Sequence, residues 1–190
     1  MQSKMQTIRC DIERVLDQLS GDFVVPKNAY EKKFCELLGW QAFDARYYDA
    51  YNGETYIEIK KGQSSMHFDM VRYAEIVMGF GTQNTITVFF KWNKNHKRVD
   101  EAMLIDTLDL IKFLKIDKVM ARMYLKIRDL VPRGVNILAS ATCKDLREIS
   151  THVITNVAPI YRPLTIRFTF QELEYTTDPN KWPNINIIIE

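Results

Sequence analysis

Asp49-Ala50-Tyr51-Asn52-Gly53-Glu54-Thr55-Tyr56-Ile57-Glu58-Ile59-Lys60-Lys61 is the stretch from which the fold can be read. Asn52-Gly53 is a strong hairpin signal, because both residues tolerate the positive φ of a two-residue type I′ turn. Such a turn sets Tyr51 opposite Glu54, Ala50 opposite Thr55, Asp49 opposite Tyr56 and Tyr47 opposite Glu58. Strand side chains alternate, so Tyr47, Asp49, Tyr56, Glu58 and Lys60 are expected on one face. Arg46, Tyr48, Ile57 and Ile59 are expected on the other.

The flanking sequence places this hairpin among helices. Residues 3–20 carry Ile8, Ile12, Val15, Leu16 and Leu19 at helical spacing, and Gly21 stops the pattern. Asn28 and Glu31 form a capping box that opens a helix burying Tyr30, Phe34, Leu37 and Leu38, with Gly39 as its end. Residues 41–51 read as strand. After the break Gly62-Gln63-Ser64-Ser65, the spacing of Phe68, Val71, Ala74 and Met78 predicts a helix over 65–79, capped at its start. Thr85–Phe90 is a run of β-branched and aromatic residues, the mark of a buried central strand.

Beyond it lie a basic loop over 91–98 and then either a short strand at 103–105 before a helix at about 107–115 or a single longer helix. A further helix over 117–130 turns Met120, Met123, Tyr124, Ile127 and Leu130 inward. A strand at 135–139 and a helix at 142–150 capped by Thr142 follow, and extended segments at 164–170 and 185–189 end the chain. The fold class expected is α/β, a mixed central β-sheet flanked by helices. No repeat or linker divides the sequence, so residues 1–190 are read as a single domain with its core at about 27–91.

Composition narrows the chemistry. The chain has 190 residues, 46% of them hydrophobic and 26% charged, with 26 Lys and Arg against 24 Asp and Glu. A net charge of +2 announces no polyanion partner, so any such argument must rest on where the charges cluster. Cys10, Cys35 and Cys143 are isolated, odd in number and without a Cys-x-x-Cys, which points to reduced thiols in a cytoplasmic protein. No apolar run has bilayer length and no signal-peptide pattern opens the sequence, so no membrane association is expected.

Two carboxylates beside an ammonium suit a hard cation such as Mg²⁺ and the hydrolysis of a phosphodiester. The metal polarises the phosphoryl oxygen, and the lysine orients water or offsets developing charge. The Ile59 carbonyl offers a further oxygen. Acid-x-Lys alone is a weak pattern, since Glu31-Lys32-Lys33 repeats it on a predicted helix where the spacing shares no face. The competing reading is an ordinary cross-strand Glu/Lys pair on an exposed face.

With the turn and the following helix included, the stretch resembles the active-site hairpin of the PD-(D/E)XK nucleases, in particular type II restriction endonucleases. Residues 27–91 follow the order of that family's core, so a restriction-endonuclease-like fold is implied. The resemblance implies Asp49 and Glu58 as Mg²⁺ ligands and Lys60 as the catalytic lysine. Tyr48-Asp49 stands where Pro-Asp is the family's form, which leaves Asp44 as a rival; register disfavours Asp44 unless a bulge intervenes. Glu36 and Glu31 are candidate helix carboxylates. Gln63, Ser64 and His67 are expected at a helix N-terminus, where a scissile phosphate can approach.

Double-stranded DNA is the expected partner, met by the loop residues Lys91, Asn93, Lys94, Asn95, Lys97 and Arg98 and by the basic helix 117–130. The C-terminal part, about 117–190, is then a DNA-binding or dimerisation elaboration. The resemblance further implies a homodimer, 5′-phosphate and 3′-hydroxyl products, and a cognate DNA methyltransferase in the same system. The rival expectations are a structure-selective nuclease of the same fold, such as a Holliday-junction resolvase or repair enzyme, and a non-cleaving module that binds DNA or protein.

Overall fold

The computed structural model describes residues 2–19, 30–82, 84–132 and 135–157. All of them belong to one compact unit, Met1–Ala158. The extended segments expected at 164–170 and 185–189, and the cap at Asn28, lie outside the described residues. Among the described residues the chain is α/β, with a mixed central sheet flanked by helices. No described helix is long and apolar enough to cross a membrane.

Helix α1 (Gln2–Val15) continues into a single 3-10 turn, Leu16–Gln18, and α2 (Tyr30–Leu38) follows. Two short strands, β1 (Gln41–Ala42) and β2 (Ala50–Tyr51), precede β3 (Tyr56–Gly62) and β4 (Ser65–Asp69). After α3 (Met70–Val77) come the long strands β5 (Thr85–Asn93) and β6 (Arg98–Asp106). Helices α4 (Thr107–Phe113) and α5 (Lys118–Leu130), strand β7 (Leu138–Thr142), helix α6 (Cys143–Ile149) and strand β8 (His152–Thr155) complete the order.

The main sheet runs β1-β2-β3-β5-β6-β8, and β4 pairs separately with β7. β3 and β5 are parallel from Tyr56↔Thr85 to Gly62↔Lys91, and the other pairings are antiparallel. A parallel pair needs a crossover, and β4 with α3 supplies it. Alternation along the central strands divides the core. Ile57, Ile59, Ile86, Val88, Phe90, Ala102 and Leu104 pack with α1 and α2, where the Phe34 ring stacks on Phe90 at 4.0 Å. Phe89, Met103 and Ile105 pack on the opposite side with β4, β7 and the helices α3 to α6. The first six residues of β5 are all buried, as expected of a strand covered on both faces.

Several local expectations are corrected. Residues 65–69 are strand rather than the first turn of a helix, because their alternating burial, Met66 and Phe68 in, matches β7 across from them. The helix therefore starts at Met70, and its cap is Asp69, which accepts the Val71 N–H at 3.1 Å. The expected short strand at 103–105 is the end of the nine-residue β6, so residues 91–98 are not a loop but the end of one hairpin strand, a tight turn and the start of the next. The expected strand at 135–139 starts later, at Leu138. In α5 the inward face is rotated from the one expected. Ala121 is buried, Tyr124 and Leu125 pack beside it, and Met123 and Leu130 are exposed. Thr142 caps α6 as expected, in a capping box with Asp145.

Candidate active site

The hairpin turn is longer than a two-residue turn. Tyr51 pairs with Tyr56 and Ala50 with Ile57, leaving residues 52–55 as a four-residue loop. Gly53 has φ +97°, but Asn52 is not among the positive-φ residues, so the geometry is not type I′. The Asn52 side chain instead accepts the Glu54 and Thr55 N–H groups at 3.1 and 2.8 Å. An Asx turn replaces the backbone turn that Asn-Gly suggested.

At Asp49 the ladder slips by one. The Asp49 N–H donates to the Ile57 carbonyl at 2.8 Å, although Ile57 is already the partner of Ala50. Two residues oppose one, as at a β-bulge, and the side-chain alternation upstream is inverted. Tyr48 accordingly stacks 4.3 Å from Tyr56, with which it was not expected to share a face. Tyr47, expected on the Asp49 face, and Arg46, expected on the opposite one, both turn to Glu75 on α3. Arg46 forks onto both Glu75 oxygens, at 2.6 and 3.0 Å, the Tyr47 hydroxyl donates at 3.1 Å, and Arg128 of α5 joins at 3.1 Å. Tyr51 and Tyr56 stack 5.0 Å apart on the hairpin.

Asp49, Glu58 and Lys60 remain together. Asp49 Oδ2 accepts the Ile59 N–H at 2.7 Å. One residue's N–H and C=O point to the same strand edge, so the Ile59 carbonyl turns toward Asp49 as well. Burial and the nearby Glu58 charge push the Asp49 carboxyl up to about 7, against the opposing pull of Lys60 and the Ile59 N–H. Glu58 is 1% exposed. The Lys60 ammonium pairs with its Oε1, and Arg72 of α3 forks across both of its oxygens. Burial alone would raise the Glu58 carboxyl, but Arg72 and then Lys60 outweigh it and hold it below the usual range.

Asp49 opens onto a cleft of about 420 Å³ lined also by Glu31, Lys32, Ala42, Phe43 and Asp44. Of the two helix carboxylates considered, Glu31 therefore lines the cleft and Glu36 does not. The bulge that would favour Asp44 is present and Asp44 lines the same cleft, but the bond to Ile59 belongs to Asp49. Gln63, Ser64 and His67 do not sit at a helix N-terminus. Gln63 and Ser64 form the turn into β4, where the Ser64 carbonyl accepts the Cys143 N–H at 2.9 Å. His67 is an exposed strand residue paired with Ser140. Gly62 is required there, because a Cβ would collide with the Ser65 carbonyl and the Phe89 ring.

Half of the expected DNA-contacting set is engaged internally. Lys91 pairs with Glu101 at 2.9 Å, Arg98 with Asp100 at 3.0 Å, and the Asn93 amide donates to Asp100 at 2.7 Å. Lys94, Asn95 and Lys97 stay exposed in the β5–β6 turn, past the end of β3 where Gly62 pairs with Lys91. Lys118, Arg122 and Lys126 are exposed on α5.

The donor set is compatible with Mg²⁺. Among the described residues no three His, Cys, Asp or Glu side chains gather closely enough to hold a metal. Mg²⁺ commonly takes only one or two carboxylates and keeps its waters. Asp49 has Oδ2 on Ile59, which leaves Oδ1 for the cleft; Glu58 has both oxygens on Arg72 and retains one lone pair, on Oε2. Arg72 is the site residue that the sequence reading missed. Its signal was its isolation, because Arg72 and Glu75 are the only charged residues in Met-Val-Arg-Tyr-Ala-Glu-Ile-Val.

No family model, curated protein or solved structure matches the chain.

Proposed function

We propose that this chain is a Mg²⁺-dependent endodeoxyribonuclease of the PD-(D/E)XK type, acting on duplex DNA as a type II restriction enzyme. The observation that carries the proposal is the meeting of Asp49 with the Glu58–Lys60 pair at Ile59. The order α2, β2–β3 hairpin, α3 and parallel β5 supports it, being the order the resemblance implies. Bound Mg²⁺ would supply a polarised phosphoryl oxygen and a water acidic enough to attack near neutral pH. Asp49 Oδ1, Glu58 and the Ile59 carbonyl are the groups that would hold it. Lys60, held at Glu58, orients the attacking water or offsets charge on the phosphate. The exposed Lys94 and Lys97 and the basic face of α5 suit phosphate-backbone contacts. A homodimer would cut both strands of a palindrome symmetrically.

Digestion of a mixed plasmid panel in Mg²⁺, with an EDTA control, tests this. Discrete fragments ending at one recurring short site are expected. Cleavage confined to branched or damaged DNA would replace restriction with structure-selective repair. One observation favours a non-cleaving DNA- or protein-binding module: Glu58 already has two cationic partners. Absence of cleavage with every divalent ion tried would favour that reading. A DNA methyltransferase gene beside this one is the matching genomic expectation.

A further inference from the structure

With Asp49 ionised, the formal charges at the centre of the site cancel. Asp49 and Glu58 are carboxylates, Lys60 and Arg72 are cations, and Glu58 is paired with both cations at once. Within this group of four a divalent cation meets no net formal charge until one cation leaves its carboxylate, although Glu31 and Asp44 also line the cleft. Lys60 is bound through a single ammonium on a flexible stem, whereas Arg72 covers both Glu58 oxygens in a fixed fork. The fork takes one lone pair on each Glu58 oxygen and Lys60 the second on Oε1, so a metal finds only the last lone pair of Oε2 unless Arg72 gives way. The Arg72 side chain is 14% exposed, and among the described residues its Nε is buried without a hydrogen-bond partner, while its two terminal nitrogens are held by Glu58. That is an incompletely satisfied buried cation.

We propose that Arg72 is the displaceable counter-ion of this site: it holds Glu58 in the metal-free protein and gives up at least one Glu58 oxygen when a divalent cation binds. Arg72 thereby sets the metal concentration at which the site is assembled, and it positions Glu58 while the metal is absent. This rests on the reading of Asp49 and Glu58 as a metal site, though not on the substrate or on cleavage.

The test is Mn²⁺ binding to full-length protein without DNA, read from the electron paramagnetic resonance of free Mn²⁺, for wild type, Arg72→Met and Arg72→Lys. Removing a charge-assisted competitor should tighten binding in Arg72→Met by about tenfold or more. Arg72→Lys, which competes through one point charge, should fall between the two. Equal or weaker binding in a folded Arg72→Met protein, or no binding in any of the three, overturns the proposal. Should Arg72→Met fail to fold, the arginine Nε–Hε resonances of ¹⁵N-labelled wild type decide the matter. The Arg72 signal, assigned through Arg72→Lys, should move on adding Mg²⁺ and stay in place on adding Na⁺ at equal ionic strength. An Arg72 signal unmoved at saturating Mg²⁺ overturns it. Metal binding as expected with no DNA cut would sink the nuclease reading alone, and cleavage with Arg72-independent metal affinity would sink this one alone.

Discussion

Asp49 and Ile59 are joined by a hydrogen bond from the Ile59 N–H to Asp49 Oδ2 at 2.7 Å. An aspartate side chain thus stands where the next rung of the β2–β3 ladder would be. The acidic residue closes the backbone of β3 with one oxygen and presents the other to the cleft, so its structural and chemical roles can be separated by substitution.

Asp49→Asn keeps an acceptor for the Ile59 N–H and removes the charge. It should unfold close to wild type in urea but lose metal binding and cleavage. Asp49→Ala leaves that N–H without its partner and should in addition lose about 1–3 kcal/mol of stability. Asp44→Ala should keep most of the cleavage. If Asp44→Ala is inactive and Asp49→Asn cuts normally, the acidic position has been misassigned.

Lys60→Ala should abolish cleavage and leave DNA affinity in a gel-shift assay largely intact, because one ammonium among many basic groups adds little to backbone binding. Cleavage by Lys60→Ala at the wild-type rate would remove the hairpin from consideration as the active site.

Cys35 lies on the buried face of α2, and burial, helped by Asp49, pushes its thiol up to about 11 from 9.0. The folded protein keeps that proton above the pH at which the unfolded chain gives it up. The contribution to stability is therefore complete below pH 9.0 and is lost as pH rises through about 11. Cys35→Ala should flatten the fall in urea midpoint over that window. In native protein a thiol reagent at neutral pH should label the exposed Cys10 first and reach Cys35 only after unfolding.

Phe34→Ala removes the ring stacked on Phe90 in the α2 face of the core. A fully buried aromatic truncated in this way costs about 3–5 kcal/mol. Chemical denaturation should show that loss with little change in slope. A cost under about 1 kcal/mol would mean that α2 is not packed on the sheet as described.

The sequence was most legible where a period or a cap dominates. The alternation at Ile57 and Ile59, the buried run at Thr85–Phe90 and the Thr142 cap are all local signals that tertiary packing reinforces. It was least legible where distant partners decide. Ser65–Asp69 is strand because Leu138–Thr142 lies beside it, and no local preference announces that pairing. Asn-Gly suggested a backbone turn, yet the Asn52 amide made a different one. The grouping of Asp49 with Glu58 and Lys60 was reached through a register that does not occur. It is held by a bulge and a side-chain bond rather than by simple alternation. Arg72 went unseen because its partner lies in another element.

The pairing of β4 with β7 also bears on when the site can exist. Its outermost rung joins Ser65 to Thr142, and the Met70 N–H at the start of α3 is tied to the Ile137 carbonyl at 2.9 Å. Arg72 rides on the helix so anchored, so a nascent chain that has emerged from the ribosome only as far as the hairpin carries Asp49, Glu58 and Lys60 without the wall behind them. The site should thus become whole only after Leu138–Thr142, which takes no part in its chemistry, has left the ribosome. Premature truncation after β6 should therefore leave the three hairpin residues present and the centre unformed.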